Sequence, residues 1–169
     1  QYARENKVPY LGLCYGMQLA AIEFARNVMG FKDANSTEID PNTSHPIIHI
    51  MPDQEKKLLQ REYGASMRLG AWDCSVKPNT LASKVYNQSD ISERHRHRYE
   101  VNNEYRDEFD KQGMRISGTS PDGNLVEIME LSDHPYFIGS QFHPELKSRP
   151  ISPHPLFLGL VEAALKFKQ

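Results

Sequence analysis

Cysteine is scarce in this sequence: 169 residues hold only Cys14 and Cys74. Two thiols make no disulfide framework, so the chain must rely on a packed core, and the expected compartment is the reducing cytoplasm. An excess of one charge sign is missing as well. Twenty Lys and Arg against 22 Asp and Glu leave a formal charge of −2. That balance gives no electrostatic reason for nucleic acid or an anionic membrane to be a partner. No apolar run approaches the roughly 18 residues that a membrane-crossing helix takes. The opening residues, Gln1-Tyr2-Ala3-Arg4-Glu5-Asn6-Lys7, mix charges around no apolar segment and form no secretory signal. They also lack an initiating methionine, the pattern expected of a fragment or a cleaved product. Repeats and low-complexity stretches are absent.

What is present fits one compact globular domain, with 25% charged and 38% apolar residues. Val8 to Leu13 is an apolar run that reads as a buried strand ending at Cys14. Met17, Leu19, Ala20, Ile22, Phe24, Ala25 and Val28 then recur at helical spacing, and Gly30 stops the helix. A polar loop over 31–46 leads to a strand at Ile47–Met51, while 54–64 is undecided between a short helix and a loop. Further strands are expected at Met67–Trp72, Arg98–Val101, Met114–Ser117, Leu125–Leu131 and Tyr136–Phe142. Short helices are expected at Thr80–Tyr86 and Glu104–Gln112. The last helix, Leu156–Phe167, is read with Leu156, Leu160, Val161, Ala164 and Leu165 on one face. The order predicts an α/β fold with one antiparallel excursion, whose chemistry sits at the carboxyl ends of strands.

Gly12-Leu13-Cys14-Tyr15-Gly16 has the form of a nucleophile elbow with cysteine as the nucleophile. A strand turning directly into a helix leaves little room two residues before and two after the bend, and glycine occupies both places. The bend would push the thiol out of the sheet and set it at a helix N-terminus, where the dipole and free amides favour a thiolate. The Tyr15 amide would be placed to donate to a developing oxyanion. Taken alone, the same residues equally fit a core thiol between loop-forming glycines.

A nucleophile needs a base. Of seven histidines, only His143 follows an expected strand end with a carboxylate close behind, in Gln141-Phe142-His143-Pro144-Glu145. Residues i and i+2 of an extended stretch point the same way, so Glu145 can fix the tautomer of His143 and support its charged form. The competing histidines lie in Arg94-His95-Arg96-His97-Arg98. That run is read as a solvated basic edge or a phosphate or carboxylate site. A metal reading is poor, because no Cys or carboxylate stands at ligand spacing.

Together, Gly12-Leu13-Cys14-Tyr15-Gly16-Met17-Gln18 and Gln141–Glu145 resemble the triad-type (class I) glutamine amidotransferase family. Several enzymes share it, GMP synthases among them. Asp33-Ala34-Asn35-Ser36-Thr37-Glu38, Met67-Arg68-Leu69-Gly70, Glu93–Asn102, Ser148-Arg149-Pro150 and His154-Pro155-Leu156-Phe157 resemble the CTP synthase branch. The likeness covers essentially the whole chain, and implies a flavodoxin-like three-layer sandwich lacking its N-terminal portion. It implies that Cys14, His143 and Glu145 hydrolyse L-glutamine through a thioester. By the same likeness Tyr15, Gly16, Met17 and Gln18 line the glutamine, Glu38 holds its α-amino group and Arg98 its α-carboxylate.

The branch further implies a synthetase domain, absent from this sequence, that uses ATP and Mg²⁺ to aminate UTP. GTP would be its allosteric activator and a homotetramer its assembly; no metal or cofactor site is expected in the present residues. Only 13 residues precede Cys14, so the glycine-rich loop that supplies the second oxyanion donor is not expected here. Loss of one such donor costs about 10²–10³ in rate, and little activity is expected of these residues alone. Gly64-Ala65-Ser66 departs from the branch, where two glycines and a threonine are expected, in a segment resembling the lid associated with GTP activation. Other readings are a different class I amidotransferase such as GMP synthase, a non-catalytic assembly module of the same fold, and a cysteine peptidase.

Overall fold

A computed structural model of the chain describes residues 1–50 and 67–167. The expectations for 54–64 and for Gly64-Ala65-Ser66 lie outside these residues. In chain order the elements are α1 (Tyr2–Glu5), β1 (Tyr10–Leu13), α2 (Tyr15–Asn27), β2 (Asn35–Ser36), β3 (Pro46–Ile50) and β4 (Arg68–Val76). Next come α3 (Leu81–Tyr86), β5 (Asp90–His97), β6 (Tyr99–Val101), a 3₁₀ turn at Asn103–Tyr105, α4 (Arg106–Lys111) and β7 (Met114–Thr119). The chain closes with β8 (Val126–Leu131), β9 (Phe137–Ser140), a 3₁₀ turn at Pro144–Leu146, and α5 (Pro155–Phe167).

Six strands form the main sheet in the order β1-β9-β8-β7-β4-β5, and β2-β3-β6 form a small second sheet. β1 and β9 pair in parallel, Leu13 opposite Ser140. The other pairings of the main sheet are antiparallel. Antiparallel pairing is therefore most of the described sheet rather than one excursion from it.

Alternation along the strands separates two apolar clusters. Phe137 and Met129 face one with Met17, Ala21, Phe24 and Phe109, whereas Ile138 and Ile128 face the other with Tyr136, Ala82 and Leu156. The sheet thus lies between α2 and α4 on one side and α3 and α5 on the other, the three-layer arrangement expected of the fold.

Local chemistry accounts for the helices that frame the sheet. Met17, Ala20, Ala21, Phe24 and Ala25 form the buried stripe of α2, while Leu19 faces out at 44% exposure. The helix approaches β9 so closely that a β-carbon on Gly139 would lie 2.6 Å from Met17 Cγ. α3 begins at a capping box between Thr80 and Ser83, and the buried Glu130 carboxylate accepts from Leu81 N and Ala82 N at 2.7 and 2.9 Å.

Asp90–His97, for which the sequence suggested no element, is a strand paired along its length with β4. The expected apolar face of α5 is displaced. Leu156 is buried, Leu160 and Ala163 pack with its cluster, and Val161 and Leu165 stand 56% and 64% exposed. Gly159 sits in the contact stripe because a side chain there would strike Tyr136, at 2.7 Å from a β-carbon to the ring.

Candidate active site

The parallel register of β1 and β9 brings their carboxyl ends to one edge. Cys14 follows β1 and donates its backbone N–H to Ser140 O at 2.7 Å, and Gln141 to Glu145 continue from β9. Cys14 caps α2 in the left-handed region, φ 48° and ψ −102°. A non-glycine residue held there carries strain, of about 1–3 kcal/mol, that the surrounding fold must hold in place. A β-carbon on Gly12 would lie 2.8 Å from the carbonyl carbon and oxygen of Gly16, so the bend does demand glycine there. Gly16 differs from expectation: its own β-carbon would meet only the Tyr10 hydroxyl, at 3.8 Å.

The Cys14 thiol is half-buried and its pKa is raised, against the expectation of a favoured thiolate. Burial is the largest cause; the Tyr15 amide opposes it, the Glu100 and Glu145 charges reinforce it, and Gln141 opposes it. A thiol held protonated needs a base during attack.

His143 Nδ1 lies 2.6 Å from Glu145 Oε1. An ionised carboxylate only accepts, so Nδ1 carries the proton and the neutral ring keeps Nε2 as its basic atom. Nε2 is buried and makes no hydrogen bond among the described residues. No hydrogen bond therefore joins thiol and imidazole in this structure. The groups still share one sheet edge, since Cys14 N–H is bonded to Ser140 O, three residues before His143, and Glu145 binds His143. β5 holds the base in place. His143 N–H donates to Arg94 O at 2.8 Å, and further along the same segment His154 and Lys147 both reach buried Glu93, at 2.9 and 3.5 Å. Glu93 had no assigned role in the sequence reading; besides Tyr86, which donates to it at 3.2 Å, its partners Lys147 and His154 lie more than fifty residues away in the chain.

The basic run is a solvated edge on one face only. Along β5 and the step to β6, Arg94 and Arg96 are exposed while His95 and His97 turn inward. His95 Nδ1 lies 2.8 Å from His97 Nε2, and Arg68 joins Glu100 and Glu127 beside them at 3.3 and 2.8 Å. Burial, then the Arg68 charge, pushes His95 down to about 2 and His97 to about 3. Burial pushes Glu100 up to about 8.

The expected ligand residues divide by exposure. Tyr15 is 48% exposed and Glu38 is exposed, while Gly16 and Arg98 are half-buried. Burial raises the pKa of the Tyr99 hydroxyl; the Glu38 charge reinforces the rise and the Arg98 charge opposes it. Met17 and Gln18 turn inward, 1% and 3% exposed, Met17 into the core against Gly139. Among the described residues no group of three or more His, Cys, Asp or Glu is placed to hold a metal ion, and no helix is long and apolar enough to cross a membrane.

Residues 1–163 match the family described as "Glutamine amidotransferase class-I". The chain is 62% identical to a CTP synthase of Rubrobacter xylanophilus over 98% of its own length and 29% of that protein's. It is 60% identical to a CTP synthase of Caldanaerobacter subterraneus subsp. tengcongensis over 99% of its own length and 31% of that protein's. It therefore spans less than a third of these curated relatives. Among solved structures it resembles the Trypanosoma brucei CTPS glutaminase domain with bound acivicin, with a TM-score of 0.90 and 39% identity over 97% of this chain and 62% of that one. With the family match running nearly end to end over an elbow cysteine and a carboxylate-bound histidine, the chain belongs to the class I glutamine amidotransferases.

Proposed function

We propose that this chain is the glutaminase portion of a CTP synthase. The observation that carries the reading is the meeting of a strained elbow thiol with a His–Glu pair whose basic nitrogen is free, at the carboxyl ends of two paired strands. Cys14 Sγ attacks the carboxamide carbon of L-glutamine as His143 Nε2 takes the thiol proton. The C–N bond breaks when His143 returns that proton to the leaving nitrogen, which departs as ammonia and leaves a thioester. Water activated by His143 then adds to the thioester, releasing glutamate and restoring the thiol. Glu145 holds the ring and stabilises its charged form. The Tyr15 amide supplies an oxyanion donor, and Glu38 and Arg98 meet the two charges of the amino acid.

In the whole protein the ammonia would serve ATP- and Mg²⁺-dependent amination of UTP, with GTP as activator and a tetramer as the assembly. The support for these is the similarity to CTP synthases.

The test is Cys14→Ala in the intact protein. Glutamine-dependent CTP formation is expected to vanish while formation from free ammonia persists, and an electrophilic glutamine analogue should label Cys14 of the parent protein. Loss of both activities, or labelling elsewhere, overturns the reading.

A further inference from the structure

Gln141 is fully buried at the end of β9, and its amide lies 3.7 Å from Cys14 Sγ. Which end of the amide faces sulfur follows from its neighbours. Gln18 lies 3.0 Å from the Tyr99 carbonyl and 3.2 Å from the far end of the Gln141 amide. A carbonyl can only accept, so the Gln18 atom serving both contacts is its NH₂, with one hydrogen for each. The Gln141 atom facing it must then be oxygen, which leaves nitrogen toward the thiol. The orientation is fixed by hydrogen-bond logic, independently of how either amide is drawn.

We infer that Gln18 and Gln141 form a relay that presents a fixed N–H donor to the Cys14 sulfur, with Gln141 a further catalytic residue and Gln18 its positioning partner. The inference rests on the glutaminase reading for its purpose, though not for its geometry. The thiol is faced by Glu145 from the turn after His143 and by Glu100 from β6; the Glu145 charge opposes a thiolate, and Glu100, pushed up to about 8, adds to this once it ionises. The Tyr15 amide and the Gln141 amide favour the thiolate. A donor aimed at sulfur stabilises the charge that forms when the proton leaves, and leaves the S–H free to point elsewhere. Gln18 thereby receives a task other than lining the substrate, in keeping with its burial at 3% exposure.

The experiment follows alkylation of Cys14 by iodoacetamide against pH in the intact protein, read on the Cys14 peptide by mass spectrometry. Gln141→Met keeps the length and removes the donor. Its alkylation midpoint is expected to rise by about one pH unit, a tenfold loss of thiolate below the midpoint. Gln141→Glu, nearly isosteric, should raise it further, and Gln18→Met should raise it less, because the freed Gln141 amide can then turn. The kcat for glutamine should fall with the thiolate fraction while KM stays near the parent value. Thermal midpoints near that of the parent identify the folded variants, and the isosteric Gln141→Glu serves if the Met variant fails. An unchanged alkylation midpoint in folded Gln141 variants overturns the relay. So does a Gln18→Met protein with raised KM and an unchanged midpoint, which would make Gln18 a substrate ligand. If the midpoints move as expected in a protein that hydrolyses no glutamine, the relay stands and the glutaminase reading falls.

Discussion

A methyl group on Gly12 would meet the backbone carbonyl of Gly16, whereas one on Gly16 would find open space but for a tyrosine hydroxyl. The two glycines of the elbow therefore differ in kind. Gly12→Ala must move the start of α2, and with it Cys14; overpacking of this sort costs about 1–3 kcal/mol. Gly16→Ala lies in the first turn of a helix, where alanine is the better helix former, and it should leave the chain within about 1 kcal/mol of the parent. Denaturant unfolding of both variants distinguishes them, and equal losses would contradict the asymmetry. The elbow was legible in the sequence because its signal is local. Which glycine the bend requires was not, because the answer depends on the path of the helix beyond it.

Strand β5 shows what periodicity hides at the element scale. Its inward positions are Ile91, Glu93, His95 and His97, of which only one is apolar, so a search for alternating hydrophobic residues passes over it. Partners from other elements permit this burial: Arg68 on β4, Glu100 on β6 and Glu127 on β8. The cluster has a pH signature. His95 and His97, depressed to about 2 and 3 from an ordinary 6.5, bind fewer protons folded than unfolded. Their contribution favours folding above the unfolded value and is lost as pH falls below 6.5. Glu100, raised to about 8 from 4.5, does the reverse, so that folding loses stability as pH climbs between those values. Glu127 is raised by burial and adds to the same trend. Only the carboxyl groups act between pH 6.5 and 8, and there stability should decline with rising pH; Glu100→Gln should flatten that decline. Below pH 4.5 the doubly substituted His95→Gln, His97→Gln protein should show a shallower acid limb. Urea unfolding in half-unit steps from about pH 3 to 4.5 and from about pH 6.5 to 8 reads both slopes, and parallel curves for parent and variants would refute the assignment.

For the molecule as a whole, α5 separates residues that hold the fold from residues that cover its outside. Leu156 is fully buried beneath the sheet, and Leu156→Ala should cost about 2–5 kcal/mol. Leu165 stands 64% exposed. Leu165→Glu should therefore stay within about 0.5 kcal/mol of the parent in the same unfolding assay, as surface changes do. A large loss at Leu165 would show that this helix face is covered. The chain spans less than a third of its CTP synthase relatives, so the assay belongs on the 169-residue chain itself, where exposure is as described.

The sequence by itself determined the elements with strong local signals: the strand into Cys14, the amphipathic α2, the short α3, the strands β7 and β8, and the short spacing from His143 to Glu145. These are legible because turns, caps and periodic stripes act over a few residues. Only the tertiary structure decided that β1 and β9 lie side by side, that the histidines of the basic run point inward, and that Gln18 and Gln141 meet behind the thiol. The first and last of these rest on partners 81 to 127 residues apart in the chain, and the second on Arg68, Glu100 and Glu127 from three other strands; such contacts are set by sheet order and packing and leave no periodic trace in either segment.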